Sequence, residues 1–580
     1  MEQAEIKATL DDAIKNDTLL KVLNDLDFRD IRSKDSLVAE ELAYLHNNQT
    51  LDLNEQLLKL TNQENNYNSS SLTFAYCSAL PKLDTTVVDI INVFVHLKDE
   101  ELVYGDFEQA YLLFCQQSLD RCKAGLSFIL EQSENSYPLL ANTIMAAAKL
   151  DSSWVIEQLS TLIKHQSVGI RLHIYSAIGR VSLTDLDMPS VRLKLLESAL
   201  NIETDSSEKS EIFRSAFFIA KQTPTLWPQV QLLFEQCLQK YEPLVIQEAS
   251  YLAAFNGQEL PDSVVTYLMP YFKDIKPAQS KALDHLSYFI RNEINGEKCS
   301  LVEDLLETLL IKNNGLKVSD FQHLDHELMK EVNSDFLNRI VTKWFLMGDI
   351  QLCCALYDVI TKGDRDRTEL SIDESALPLT DNEFLFLVRK TVGWLFYTPV
   401  AAISFLLSII PHTNADLKTQ ITQLLYDPLL LSYTGKGKDF LMKKIENTDI
   451  STQALIKLIL SDLERYQADF KDIKLVKELR VSQKEVNIYW QDFEEKMSQS
   501  MSEARKGSIV DLIATTQTIL YGNDVVTSST LGNENQRIKN TMHSVRYPYE
   551  VPKMSVIDPE GLDMMLRVFR CERFINEKNA

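Results

Sequence analysis

Glycine and proline are scarce in this sequence, 16 of each in 580 residues. A sheet-rich protein needs turn glycines, so the scarcity excludes a predominantly β fold and leaves a nearly all-α chain. Cationic residues are outnumbered, 59 Lys and Arg against 83 Asp and Glu, for a formal charge of −24. A field of that sign repels nucleic acid and anionic lipid, and it favours solubility. The eight cysteines, at 77, 115, 122, 237, 299, 353, 354 and 571, form no CxxC pair and no framework spacing. Reduced thiols in a cytoplasmic compartment are the expectation. The start, MEQAEIKATLDDAIKND, is charged and lacks an apolar core, so no secretory signal is read there. The glycosylation-type triplets at Asn48 and Asn68 are accordingly read as chance matches.

Hydrophobic residues make up 45% of the chain, which excludes a largely disordered polypeptide. At 580 residues it exceeds one ordinary core, so several domains or one elongated array are expected. The most regular stretch is 151–181, DSSWVIEQLSTLIKHQSVGIRLHIYSAIGRV. Val155, Leu159 and Leu162 fall on one face of a first helix, and a polar turn near His165–Val168 ends it. Ile170, Ile174, Ala177, Ile178 and Val181 mark the face of a second helix. One such pair cannot bury both faces, so it requires a similar neighbour.

Neighbours of that kind follow. Val155/Leu159, Val191/Leu195, Val230/Phe234, Val264/Leu268 and Val302/Leu306 repeat the same step at spacings of 36, 39, 34 and 38 residues. Second helices are predicted near 168–181, 208–222, 243–257 and 277–292. Pro189, Pro228 and Pro261 each sit just before a first helix, where a missing N–H costs nothing. This period, with two helices per unit, resembles the HEAT and armadillo α-solenoids. The segment GIRLHIYSAIGRV, 169–181, is similar to the second helix of a HEAT repeat, with Arg171 where that family often carries arginine. The equivalent positions in later units are Ile212, Ile246 and Lys281, so the arginine ladder of regular HEAT proteins is absent. The resemblance implies an all-α solenoid of stacked antiparallel helix pairs; the Asn, Ser, Thr, Gly and Pro content beyond Gly522 adds an irregular C-terminal arm.

The expected organisation has four parts. Residues 1–145 form an N-terminal helical region in which 61–71 is a polar loop. Residues 146–363 carry the repeats. Residues 364–381 are read as a loop or hinge. Residues 382–521 form a second helical region, and 522–580 the irregular arm with a short helix at 561–575. The uncharged run Val392–Pro411 is long enough to span a bilayer. Thr398-Pro399 interrupts it, so two buried helices, 382–397 and 399–410, are the better reading. A long amphipathic helix over 471–504 places Val486, Tyr489, Trp490, Phe493, Met497 and Met501 on one face. One more helix is expected over 508–521.

Groups that could carry chemistry are few. His323 and His326, with Glu327, stand at helical spacing, but neither HExxH nor HxxEH is present, and a solvated helix face is expected. Cys353 and Cys354 point apart on a helix and read as small apolar residues. Thr434–Asp439, TGKGKD, lacks the phosphate-loop spacing and reads as a helix-capping loop. No catalytic, cofactor-binding or metal residue is assigned. The expected function is a scaffold that binds a protein partner with a basic or mixed surface, with no nucleic acid and no membrane span. Two alternatives stay open. One is a nucleic-acid module using Arg171, Arg180, Arg192, Lys194 and Arg214. The other is a catalytic C-terminal region using Asp524, His543, Tyr547, Asp558 and Cys571.

Overall fold

The structure is a computed structural model that describes residues 3–26, 31, 36–61, 66–102, 107–132, 134–182, 188–202, 205–239, 242–362, 368–472, 481–505, 516–521, 524–531, 534–541 and 550–574. It is a helical repeat solenoid in two compact units, 1–336 and 337–580, with one small sheet among the helices of the second.

In the first unit, the valine-marked helices run Ser152–Leu162, Met188–Leu200, Trp227–Cys237, Asp262–Phe272 and Cys299–Lys312. Val155, Val230, Val264 and Val302 are fully buried. Pro189 and Pro228 lie in the opening turns of their helices, and Pro261 is an N-cap. Second helices follow at Val168–Arg180, Ser206–Gln222, Pro243–Asn256 and Ser280–Glu293. With Phe107–Cys115 and Pro138–Ala148 before them, these second helices pack each upon the next as one continuous layer. The first helices cover one flank of that layer. At Gly179 the approach is so close that a Cβ would stand 2.7 Å from the Ser215 Cα, so the residue must be glycine for the two helices to meet.

One expectation in this unit is overturned. Residues 66–71, read as part of a polar loop, begin the helix Asn66–Ala79. The side chains that drive it, Leu72, Ala75, Tyr76 and Ala79, are buried and lie downstream of the polar run. Residues 62–65 fall outside the described residues.

In the second unit, the apolar run folds as Asp381–Leu395 and Pro399–Ile409, the latter buried at almost every position. No described helix is long and apolar enough to cross a membrane. Thr380 and Glu383 close a capping box at the start of Asp381–Leu395. The stretch read as a hinge is an anchored strap over 368–376; residues 363–367 lie outside the described residues. Leu370 N–H donates to Ser404 Oγ at 2.9 Å and Ile372 N–H to Ser408 Oγ at 2.8 Å. On the other edge, Ser371 N–H donates to Asn338 Oδ1 at 2.9 Å and Asp373 N–H to Thr342 Oγ1 at 3.0 Å. Leu370 and Ile372 are buried. Hydroxyls and an amide from the flanking helices thus replace the strand partners that this extended backbone lacks.

The region after Arg505 departs from expectation. Thr516–Tyr521 is a strand, β1, where a helix was expected, and β2 (Asp524–Leu531) and β3 (Glu534–Thr541) lie in the stretch read as irregular. They form an antiparallel meander, with Ile519 opposite Val526 and Thr527 opposite Ile538. The β-branched and alternating character of TQTILY and DVVTSSTL suits a pleated ribbon better than a helix. Residues 506–515 of the expected helix are not among those described.

Candidate interaction surfaces

The inner layer of the first unit is laced by ion pairs between successive second helices. Arg171 Nε meets Glu208 Oε1 at 2.6 Å, and its Nη1 donates to the His165 and Gln166 carbonyls at 2.7 and 3.1 Å. Hydrogen bonding to Glu208 raises the Arg171 pKa further. Arg214 grips Glu248 with two nitrogens and also meets Glu211 at 3.3 Å. Burial pushes the Glu211 carboxyl up despite that neighbour. Arg192 is buried, donating to the Ile178 and Val181 carbonyls at the end of Val168–Arg180. Burial lowers its pKa to about 10. Of the five cations that might have met nucleic acid, these three are committed within the fold, while Arg180 and Lys194 are exposed.

Further along the layer the surface turns aromatic. Tyr251 and Phe255 lie 4.9 Å apart between centroids, and Phe255 and Tyr288 5.3 Å apart, with His285 edge-on to Tyr251. Leu244, Tyr251 and Phe255 are all exposed along one stripe of their helix.

In the second unit, the C-terminal segment docks on its neighbours. Glu550 accepts hydrogen bonds from the Gly435 and Lys436 N–H groups at 2.7 and 2.8 Å, which caps the helix Lys436–Lys444. The TGKGKD loop therefore does hold an anion, and it is the chain's own carboxylate. The helix Pro559–Cys571 buries Leu562 and Leu566, and Asp558 caps its start. Its end is held by Lys390, fully buried, whose Nζ donates to the Arg570 and Glu572 carbonyls at 2.7 and 2.6 Å. Burial lowers the Lys390 pKa. Arg570 Nε donates to the Gly393 carbonyl at 2.6 Å, and its guanidinium stacks over Trp394. A Cβ on Gly393 would stand 3.0 Å from the Phe569 Cβ, so glycine admits the tail helix here.

Of the long amphipathic helix expected over 471–504, the structure describes Gln483–Arg505; 471–472 close the preceding helix Ile450–Asp472, and 473–480 lie outside the described residues. Tyr489, Trp490, Phe493 and Met497 are exposed at 64, 54, 46 and 49%. These are four of the six side chains predicted on the face; Val486 is half-buried, the Met501 side chain lies outside those described, and no described residue covers the four.

The remaining candidates take structural places. His323 has a left-handed backbone at the start of Leu324–Leu328, and Glu327 pairs with Arg291 and Lys330. No group of three or more His, Cys, Asp or Glu among the described residues could hold a metal. Cys353 is buried, which pushes its thiol up to about 12, and Cys354 is exposed; no cysteine is joined in a disulfide. Asp524 opens β2, Asp558 is a helix cap and Cys571 ends the tail helix, while His543 and Tyr547 lie outside the described residues. The tail contacts carried no signal in the sequence, because each joins residues more than 100 positions apart.

No family model matches this chain, and no curated protein matches it. Among solved structures it is similar to one described as a circular tandem repeat protein with novel repeat topology and enhanced subunit contact surfaces. That likeness has 12% identity and a TM-score of 0.19, over 80% of this chain and 95% of the other. An overlap so loose leaves the fold to rest on the helix pairing described above.

Proposed function

We propose that this chain is a non-enzymatic scaffold or adaptor, a divergent HEAT-like array that binds a protein partner through its solenoid surface and C-terminal arm. The reading is carried by the apolar face of Gln483–Arg505, which no described residue covers. Leaving a large apolar side chain in water forfeits about 1.5–3 kcal/mol of burial, and four such side chains share this face. The chain invests this helix in a surface, as helix-in-groove recognition requires. A net charge of −24 favours a partner with a basic or mixed surface, and cysteines held in no disulfide suit the cytoplasm.

The test compares full-length protein with a Trp490→Asp/Phe493→Asp variant in affinity capture followed by mass spectrometry. The variant is expected to melt as the wild type does, since both positions are exposed, and to lose a specific polypeptide that the wild type retains. Recovery of nucleic acid or small molecules alone would overturn the reading.

A further inference from the structure

A cavity of about 700 Å³ opens between the tail helix Pro559–Cys571 and the body of the second unit. Its volume is that of a small-molecule site. The tail supplies Val568 and Phe569, and the body supplies Leu385, Leu424, Tyr426, Gln420 and Gln423. Three charged groups line it: Arg389, Glu572 and Asp427. Arg389 is taken by Glu572 at 2.9 Å. The Asp427 carboxylate has no ion pair and no side-chain hydrogen bond among the described residues, and it is accessible at the cavity. The cavity therefore carries one uncompensated negative charge beside two aromatic rings and aliphatic walls.

We propose that this cavity binds an organic cation, an amine or guanidinium on an apolar body, with Asp427 as its counter-ion. A cation satisfies Asp427 directly, and the aromatic residues Tyr426 and Phe569 that line the same cavity suit the apolar body of such a ligand. An anion would meet two carboxylates and one arginine already engaged. Burial raises the Asp427 carboxyl, as a site lacking its counter-charge should show. Tail and body each build part of the wall, so an occupant also fastens the tail, stabilising the docked state by mass action. This site is separate from the Gln483–Arg505 face and stands or falls independently of it.

The experiment uses full-length protein and calorimetric titration with 2-phenylethylamine, its neutral isostere 2-phenylethanol, and a blocked Leu-Arg-Leu tripeptide. The amine or the tripeptide is expected to bind about tenfold or more tightly than the alcohol, and Asp427→Asn to remove that preference without altering the circular dichroism of the free protein. Hydrogen exchange across 559–571 should slow when the cation is present. Binding by the amine alone identifies a free small cation as occupant, and binding by the tripeptide alone identifies a partner's side chain. Equal binding of amine and alcohol, an Asp427→Asn variant that binds as the wild type does, or no heat from either cation at millimolar concentration would overturn the proposal.

Discussion

Arg171 and Glu208 are 37 residues apart in sequence and 2.6 Å apart in space, joining one helix pair to the next. Glu208 also accepts from the Tyr175 hydroxyl at 3.3 Å, and it closes the capping box of its own helix with Asp205. One carboxylate thus satisfies a guanidinium, a phenol and a helix N-terminus. Glu208 is almost wholly buried, so Arg171→Met leaves its charge without a cation in a desolvated place. A loss of about 2–4 kcal/mol is expected in urea unfolding. In a double-mutant cycle with Glu208→Gln the pair should cost less than the sum of the singles; strict additivity would show that the contact carries no coupling.

The C-terminal segment is expected to detach as a unit. Lys390→Met removes the donors to the Arg570 and Glu572 carbonyls, and Gly393→Val puts side-chain atoms where Phe569 lies. Either change should raise amide exchange over 559–571 by about tenfold or more, while Val168–Arg180 in the other unit stays protected. Unchanged exchange in both variants would refute this account of how the tail is held.

The strap over 368–376 depends on two serines. Ser404→Ala and Ser408→Ala each leave a strap N–H without its acceptor, at Leu370 and Ile372. Each should cost about 1–3 kcal/mol, and the double variant should open the strap to protease ahead of the flanking helices. Simultaneous cleavage of strap and helices would argue against the anchoring role.

Stability of the first unit should depend on His173. Burial first, then Lys98 and Arg180, lowers its pKa below the ordinary 6.5. The unfolded chain therefore takes up a proton near pH 6.5 that the folded chain resists. Stability is full above that value and declines as pH falls from it toward the lower folded pKa. His173→Gln should flatten the slope of stability against pH below about 6.5. An unaltered slope would mean that another group sets it.

Much of the array was legible in the sequence. The valine step, the prolines at helix starts and the apolar faces are local features, and local spacing suffices to place a helix and its buried side. The uncharged run 392–411 was likewise readable as core, because Pro399 begins a helix there. The exposed face of Gln483–Arg505 could be placed on a helix from spacing, although spacing says nothing about what covers it.

Where local pattern and tertiary context compete, tertiary context wins. Asn66–Ser71 is polar and was read as loop, yet it extends a helix that downstream residues pay for by burying Tyr76 and Ala79. Residues 368–376 are polar and proline-flanked, yet Ser404, Ser408, Asn338 and Thr342 hold their N–H groups. Arg171 looked like one arginine of a missing ladder, and only the next helix shows that its partner is Glu208. The sequence by itself determined the helices, their apolar faces and the repeat, since these follow from side-chain periodicity within about 20 residues. Only the tertiary structure decided where the tail lies, which charges are neutralised and which apolar face stays open, because each of those depends on groups that the chain brings together from far apart.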